Sequence, residues 1–330
     1  MSKPDFNIIH FHFHRRKTGV TKSIEQLLPF LEAKTSSAVF GYGIDANRIG
    51  LRELLKQLFS ESQTVVHVHR NKEMMFAMLL RLLGGRFTLF TTRHAATPPS
   101  GLTRFLMRQA DRKLFLTKEA PFDTSPKNSV IPHGVNLTTF SPSESAIGEK
   151  KLIGIVGRIR KTKGQKVVLT GLASFLKTHP DWHLSFIGKV DQKQYAQEIK
   201  ELARSKGVAQ QLSFLTQTDQ INTFYHRCAL VVVPSFSEGF SLVPLEAIAS
   251  GCTVVATKNV GVHSSLIQSG KNGYLFDAGD KESLAQIVEN VVENNRFFPA
   301  KALRKSIGKW NIKNIAEQTF IAYKSSLQKN

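Results

Sequence analysis

The segment Pro234-Ser-Phe-Ser-Glu-Gly-Phe-Ser-Leu-Val-Pro-Leu-Glu246 carries two carboxylates, Glu238 and Glu246, with a glycine turn directly after the first. The apolar run before it, 229–233, predicts a buried parallel strand. The residues 245–257 predict a short helix that ends at a glycine, followed by the next strand. This order puts Glu238 on a loop at the carboxyl end of a strand. Open α/β sheets bind their ligands there, so the segment predicts a ligand site.

The same alternation of strands and helices extends along the whole chain. Strands are predicted at 6–13, 37–42, 64–69, 87–92, 113–117 and 128–131, and after the irregular segment 131–142 at 151–156, 183–187, 212–215, 229–233, 253–257 and 274–276. This rhythm predicts an α/β protein with doubly wound parallel sheets. A chain of 330 residues is long enough for two domains, which we place at 1–145 and 146–310.

A second loop with site chemistry follows the first strand of the second half. The stretch Gly157-Arg-Ile-Arg-Lys-Thr-Lys-Gly164 brings Arg158 and Lys163 to the carboxyl end of that strand. A planar guanidinium matches pairs of phosphate oxygens, and a flexible ammonium can follow negative charge as it develops. The loop therefore predicts a clamp for a diphosphate. A basic turn without a ligand is the alternative interpretation.

The two loops together resemble the site of the family-four retaining glycosyltransferases, which have the GT-B fold of two Rossmann-like domains facing a cleft. The family pattern is close to Pro-Ser-x-x-Glu-Gly-Phe-Gly-Leu-x-x-Leu-Glu-Ala, and here Ser241 stands in place of the second glycine. The segment 131–142 resembles the family's crossing between domains. The C-terminal segment 311–330 resembles the family's last helix, which implies that it packs back onto the first domain.

The resemblance implies a role for each matched residue. Arg158 and Lys163 hold the pyrophosphate of a sugar nucleotide, Glu238 binds hydroxyls of the donor sugar, and Glu246 binds the ribose. The first domain is expected to bind the acceptor and the second the nucleotide sugar. His94, at the end of a predicted strand, contacts the donor sugar and joins Arg158, Lys163 and Glu238 as a catalytic residue. The remaining donor contacts are assigned to Gly19, Gly157, Phe240, Ser241 and Leu242.

The loop His14-Arg-Arg-Lys-Thr-Gly-Val-Thr21 resembles the lipopolysaccharide-core mannosyltransferases of that family, and 66–75 resembles them more loosely. The subgroup implies GDP-mannose as donor, ahead of UDP-glucose or UDP-N-acetylglucosamine, and an acidic glycolipid such as a Kdo-bearing lipid core as acceptor. Solvated loop charge is the alternative interpretation of the cations found there. The cations expected to meet the acceptor are Arg15, Arg16, Lys17, Arg70 and Lys72.

Histidines alternate along two predicted strands, at His10, His12 and His14 and again at His67 and His69. This spacing allows a metal site. The strands are expected to be buried and to lack a carboxylate partner, so we predict structural histidines without a metal. The two cations of the predicted clamp can replace a divalent ion when a nucleoside diphosphate leaves. We therefore expect a metal-independent enzyme that needs no cofactor.

The net charge of +20 requires an anionic partner. The sequence has no zinc finger, basic leucine zipper or aromatic-basic RNA motif, which argues against specific nucleic-acid binding. A helix predicted near 102–112 places Arg104, Arg108 and Arg112 on one face, which suits an anionic membrane surface. A solvated helix face is the alternative interpretation.

The cysteine content and the hydropathy pattern bear on location. Only Cys228 and Cys252 occur, without metal-ligand spacing, so free thiols in a reducing compartment are expected. The sequence begins without a signal-peptide pattern, and no apolar run approaches about 18 residues. We expect a cytoplasmic protein associated peripherally with the cytoplasmic face of the inner membrane.

These residues favour a retaining hexosyltransferase that moves mannose from a nucleotide-diphospho sugar to an acidic lipopolysaccharide-core or related glycolipid. A GT-B sugar-nucleotide epimerase, which needs no acceptor, is one alternative. A non-catalytic protein that binds anions or membranes on the same scaffold is the other, although the intact clamp and glutamate pair argue against it.

Overall fold

The computed structural model describes residues 6–117, 128–143, 150–216, 218 and 220–328. The chain divides into two compact units, Met1–Asn136 with Trp310–Asn330, and Leu137–Lys309. The first boundary therefore lies before residue 145, where we had placed it. Arg304 accounts for the difference, because its guanidinium donates to the carbonyl oxygens of Leu137 at 2.8 Å and Phe140 at 2.7 Å and holds them in the second unit.

The first unit is built on a parallel sheet whose strands are connected by helices. Its elements are β1 Phe6–Phe13, α1 Gly19–Glu32, β2 Ser36–Tyr42, β3 Arg48–Ile49, α2 Leu51–Leu58, β4 Gln63–Val68, α3 Asn71–Leu82, β5 Thr88–Thr92, α4 Gly101–Arg108, β6 Arg112–Phe115 and β7 Asn128–Val130. The strand order is β3-β2-β1-β4-β5-β6-β7. The order reverses between β1 and β4, so the loops after these two strands border a crevice at the carboxyl edge of the sheet.

Apolar runs and capping residues explain these elements. In β1, Ile8, Ile9 and Phe11 are fully buried, as expected for a central parallel strand with helices on both faces. At the start of α1, Thr18 accepts from the backbone N–H of Thr21 while Thr21 returns the bond, which satisfies two N–H groups that the first helical turn leaves open.

The helix predicted to carry Arg104, Arg108 and Arg112 is shorter than expected. α4 ends at Arg108, and Arg112 is the first residue of β6. Asp111 fixes this change of direction, because its carboxylate accepts from the backbone N–H of Leu89 in β5 at 2.7 Å. The prediction that all three arginines share a helix face is therefore wrong for Arg112, since backbone pairing with β5 overrides the helical period.

The second unit repeats the architecture. Its elements are β8 Leu152–Val156, α5 Gln165–Thr178, β9 His183–Ile187, α6 Lys193–Ser205, β10 Leu212–Leu215, α7 Ile221–Arg227, β11 Leu230–Val233, α8 Val243–Ala249, β12 Thr253–Thr257, α9 His263–Leu266, β13 Tyr274–Phe276, α10 Lys281–Glu293 and α11 Ala300–Ser306. The strand order is β10-β9-β8-β11-β12-β13, with parallel pairing throughout the described strands. The order reverses between β8 and β11, and this switch point places the two loops that the sequence singled out side by side.

The C-terminal helix α12, Ile312–Leu327, packs on the first unit. Two backbone hydrogen bonds of 2.9 Å tie its start to Val135, one from the Val135 N–H to the carbonyl of Trp310 and one from the Ile312 N–H to the carbonyl of Val135. Tyr323 is fully buried in the same apolar cluster as Phe6. Across the described residues, every helix is too short or too polar to cross a bilayer.

We expect Gly134→Ala to loosen α12. An added Cβ at this position would lie 2.7 Å from the Cα of Ile312, and backbone cannot move aside cheaply. Overpacking of this kind costs about 1–3 kcal/mol. Thermal unfolding should show a lower midpoint, and limited proteolysis should cut the C-terminal helix sooner. Gly101→Ala is the control, because an added Cβ there meets no heavy atom within 4 Å. Equal stability of the two variants would contradict the packing described here.

Candidate active site

Glycines shape the loop after β8. Gly157 has φ +141° and Gly164 has φ +69°, both in the region that side-chain-bearing residues avoid. An added Cβ at Gly164 would lie 2.1 Å from the carbonyl oxygen of Pro234, so only glycine lets this loop touch the loop after β11. A 3-10 turn, Lys161–Lys163, presents Lys163 between the two glycines.

Lys163 and Glu238, predicted on separate loops, are in direct contact. The Nζ of Lys163 donates to Oε1 of Glu238, and the hydroxyl of Ser235 donates to the same oxygen at 2.8 Å. Both charged side chains are mostly buried. Partial desolvation strengthens such charged hydrogen bonds, so the pair holds ammonium and carboxylate in one position at the switch point.

Arg158 lies on the same loop and is half-exposed. Its guanidinium donates to Oδ2 of Asp191 at 3.1 Å, and its backbone carbonyl accepts from the Gln165 side chain at 3.0 Å. A guanidinium has five N–H donors, so one ion pair leaves capacity for phosphate oxygens. Asp191 was not among the predicted site residues, because no motif links the loop after β9 to Arg158.

Glu246 lies in the first turn of α8 and is buried. The hydroxyl of Tyr225, on α7, donates to its Oε2 at 3.0 Å. Burial, reinforced by the Glu246 charge, raises the pKa of Tyr225 well above its ordinary value, so the phenol stays a donor. Sequence reasoning missed Tyr225 because only the folded sheet brings α7 beside α8.

The backbone conformation of Ser241 explains why the family pattern has glycine at this position. Its φ is +80°, a left-handed conformation that costs a residue with a side chain about 1–2 kcal/mol. The side chain is buried, and among the described residues its hydroxyl meets no hydrogen-bond partner. The neighbouring Phe240 is buried, and its carbonyl accepts from the N–H of Val262 at 2.7 Å. Leu242 is the N-cap of α8. The loop therefore keeps a strained shape.

In the first unit, a cavity of about 380 Å³ opens at the carboxyl ends of β4 and β5. Arg70, Arg93 and His94 contribute polar groups to its wall, and α3 and α4 contribute apolar ones. The Arg70 guanidinium donates to the hydroxyl of Thr18 at 3.1 Å, while its NH1 is buried without a hydrogen-bond partner among the described residues. Burial lowers the pKa of Arg70. An arginine with a lowered pKa still carries its charge at neutral pH, so the cavity presents a cation.

The other cations predicted for the acceptor lie elsewhere. Arg15, Arg16 and Lys17 are exposed on the loop between β1 and α1, and Lys72 is exposed in the first turn of α3. Gly19 begins α1 and is exposed. None of these five residues belongs to the described lining of the cavity, whereas Arg93, which we did not predict, does. Arg93 immediately precedes His94, so its position at a strand end was the available signal.

The alternating histidines form a buried network in the first unit. His10 Nδ1 lies 3.2 Å from His69 Nε2, and His69 Nδ1 lies 3.0 Å from His94 Nε2. His67 contacts the hydroxyl of Tyr323 at 2.5 Å through Nδ1 and that of Thr92 at 2.8 Å through Nε2. His12 and His14, expected with this cluster, bond Thr21, the Tyr42 carbonyl and the Arg16 backbone instead.

Burial keeps these imidazoles neutral. It lowers the pKa of His10 to about 4 and the pKa of His67, His69 and His94 well below the ordinary value. Nitrogens of His10, His67 and His69 lie within 4.8 Å of one another, which a divalent ion could bridge. Both ring nitrogens of His67 and of His69 already have hydrogen-bond partners, so neutral histidine pairing accounts for the cluster. That it holds no metal stays a prediction.

The chain has two α/β units, each built on a sheet of parallel strands, and in the second unit a basic loop and a glutamate loop meet at the switch point. This is the architecture of the GT-B glycosyltransferases. The chain belongs to the family of glycosyl transferases group 1, whose model matches residues 138–313.

The chain is 31% identical over 301 residues to the lipopolysaccharide core biosynthesis mannosyltransferase LpcC of Rhizobium leguminosarum bv. viciae, covering 86% of this chain and 85% of that one. It is 31% identical over 300 residues to the enzyme of the same description, LpsB, of Rhizobium meliloti, with coverage of 85% on both sides. The sucrose-phosphate synthase of Thermosynechococcus elongatus superposes with a TM-score of 0.81 at 19% identity, over 98% of this chain and 100% of that one, which shows the shared fold.

We expect Ser241→Gly to stabilise the second unit by about 1 kcal/mol. The change relieves the left-handed strain and removes an unpaired buried hydroxyl, while the extra chain entropy of glycine offsets part of the gain. Thermal unfolding should show a higher midpoint. Asn295→Gly is the control, because Asn295 has φ +47° and asparagine tolerates that region, so little gain is expected. A lower midpoint for Ser241→Gly would contradict the strain.

Acid is expected to destabilise the first unit between about pH 6.5 and pH 4. Burial holds the pKa of His10 and of His133 at about 4, and unfolded histidine titrates near 6.5. The unfolded chain binds more protons in this window, so the free energy of unfolding falls as the pH falls. Denaturant titrations at several pH values should give a shallower dependence for His10→Asn than for the wild type. The exposed His183 is the control position, and an unchanged dependence in His10→Asn would contradict this account.

Proposed function

We propose that the protein is a retaining, metal-independent hexosyltransferase that moves mannose from GDP-mannose to an acidic lipopolysaccharide-core or related glycolipid. The observation that carries the proposal is the contact between Lys163 and Glu238 beside Arg158, at the switch point of the second sheet. The two relatives are named as mannosyltransferases of lipopolysaccharide core biosynthesis, which supports the choice of mannose and of a lipopolysaccharide acceptor.

In this mechanism, Arg158 and Lys163 bind the pyrophosphate and stabilise the charge that grows on the leaving nucleoside diphosphate. Positioned cations in a partly desolvated site are worth more than in water, which is why no divalent ion is required. Glu238 binds hydroxyls of the donor sugar and, through its contact with Lys163, keeps the ammonium near the phosphate. Glu246, fixed by Tyr225, binds the ribose.

Retention implies that the acceptor attacks from the face that the diphosphate leaves. The leaving phosphate oxygen helps to remove the proton from the acceptor hydroxyl, and His94 contacts the donor sugar. The same proposal includes five further contacts to the donor, from Gly19, Gly157, Phe240, Ser241 and Leu242.

The acceptor part of the proposal rests on the cavity of the first unit. The Arg70 guanidinium in its wall is partly buried and has one buried nitrogen, NH1, without a partner among the described residues, which suits a carboxylate or a phosphate on the acceptor. The exposed cations Arg15, Arg16, Lys17 and Lys72 add longer-range attraction for the same acidic molecule. We place the enzyme at the cytoplasmic face of the inner membrane as a peripheral protein, because glycolipid acceptors reside in a bilayer.

The proposal is tested first by donor binding. Purified protein in EDTA should be stabilised against heat selectively by GDP-mannose among GDP-, UDP-, ADP- and CMP-sugars, by about 2.7 kcal/mol when the ligand is at 100 times its Kd. Selective stabilisation by another diphospho-sugar would correct the donor. A flat panel would favour the non-catalytic scaffold, and conversion of the donor without an acceptor would favour the epimerase.

Lys163→Ala and Glu238→Ala should each lower transfer by at least about 100-fold without loss of folding, because each removes a group that binds charge or hydroxyls in the transition state. Release of GDP on addition of the glycolipid acceptor is the measurement. Lys151→Ala is the matched control, since Lys151 forms an exposed ion pair with Asp181 outside the two site loops and should keep wild-type turnover. Near-normal turnover in either site variant would remove these residues from the mechanism.

A further inference from the structure

Helix α3 is apolar on two sides, although only one faces the core. Met74, Ala77 and Leu80 are buried in the core of the first unit. On the other side, Met75 is 54% exposed, Leu79 50% and Leu82 85%. The spacing of these three residues places them on one stripe of the helix. Core packing explains why the buried side of α3 is apolar. It does not explain why the exposed side is apolar as well.

Exposed apolar side chains also occur on α4 and directly after the end of α3. Leu83 is 65% exposed, Leu102 56% and Phe105 53%. The two helices are held together by a hydrogen bond of 2.9 Å from the Asn71 side chain to the Thr103 hydroxyl. We call this surface the α3–α4 face; its members are Met75, Leu79, Leu82, Leu83, Leu102 and Phe105. Large apolar side chains exposed together on two helices that contact each other are typical of an interaction site.

The charges within the stretch of chain that builds the α3–α4 face are almost all positive. From Asn71 to Arg108 the only acidic residue is Glu73, which is buried and accepts backbone N–H bonds from His69 and Phe13. The exposed cations of this stretch are Lys72, Arg86, Arg104 and Arg108. Apolar side chains among cations match an anionic bilayer, where the cations meet headgroups and the apolar groups enter the acyl boundary. A second copy of the chain would bring like charges together.

The same two helices form the wall of the cavity that contains Arg70. Met74 of α3 and Leu106 of α4 line that cavity, whereas the members of the α3–α4 face point to solvent. Contact of this face with a bilayer would therefore hold the cavity at the depth of the lipid headgroups. A lipid-linked acceptor presents its sugars at that depth.

We propose that the α3–α4 face is the surface by which the protein binds an anionic bilayer, with its apolar side chains inserted and its cations on the headgroups. The inference that this binding presents the acceptor rests on the proposed function. The binding itself does not.

The test is co-sedimentation of the full-length protein with vesicles of phosphatidylcholine, with and without phosphatidylglycerol. The wild type should bind the anionic vesicles, and Leu79→Ser/Leu83→Ser should bind them at least about tenfold more weakly. Arg104→Glu/Arg108→Glu should weaken binding to a similar degree and reduce its salt dependence. Ile321→Ser is the matched control, because Ile321 is 55% exposed on α12 and outside the face, and it should bind like the wild type.

Thermal stabilisation by GDP-mannose separates the two proposals, since all of these variants should keep the response of the wild type. If the wild type binds anionic vesicles more tightly than the leucine variant does but no nucleotide sugar stabilises either protein, the membrane-binding proposal stands and the transferase proposal fails. If the leucine variant binds anionic vesicles as tightly as the wild type, the proposal that the α3–α4 face binds the bilayer is wrong. The proposal is also wrong if the wild type does not bind vesicles and instead forms a dimer in analytical ultracentrifugation that the leucine variant does not form.

Discussion

The reversal of strand order between β8 and β11 is the constraint on which the candidate site depends. Neighbouring parallel strands end at the same edge, so their loops have to meet, and Gly164 permits the closest approach by leaving room for the Pro234 carbonyl. The ion pair of Lys163 and Glu238 follows from that approach. Charge recognition and hydroxyl recognition are thereby combined in one contact, which suits a ligand that carries a diphosphate next to a sugar.

In the first unit, too, loops meet at a switch point of the sheet, but they carry different side chains. At its own switch point, between β1 and β4, the crevice holds neutral buried histidines and the Arg70 cation beside a cavity. The helices that border this crevice are apolar on two sides, one for the core and one for solvent. Arg70 caps the start of α3 and lines the cavity, while α3 and α4 present apolar side chains and cations to solvent. This combination suits the acidic, membrane-borne acceptor that we propose.

The sequence predicted much of the fold because buried parallel strands are continuous apolar runs. Strand β12 has the predicted bounds, 253–257, and β11 differs by one residue at its start. The loops of Arg158, Lys163 and Glu238 were found from strand-end positions and motif resemblance. Contacts between distant segments were not predictable. The Asp191 partner of Arg158, the Tyr225 partner of Glu246 and the cavity position of Arg93 arise only when the sheet forms. The Arg112 error has the same origin, since a helical period cannot reveal strand pairing.

The most direct measurement is a crystal structure of the protein with GDP-mannose, grown in EDTA. We expect phosphate oxygens within hydrogen-bond distance of Lys163 and Arg158, sugar hydroxyls on Glu238 and the ribose on Glu246. A nucleotide bound away from the loops after β8 and β11, or a diphosphate held there without contact to Lys163, would contradict this expectation.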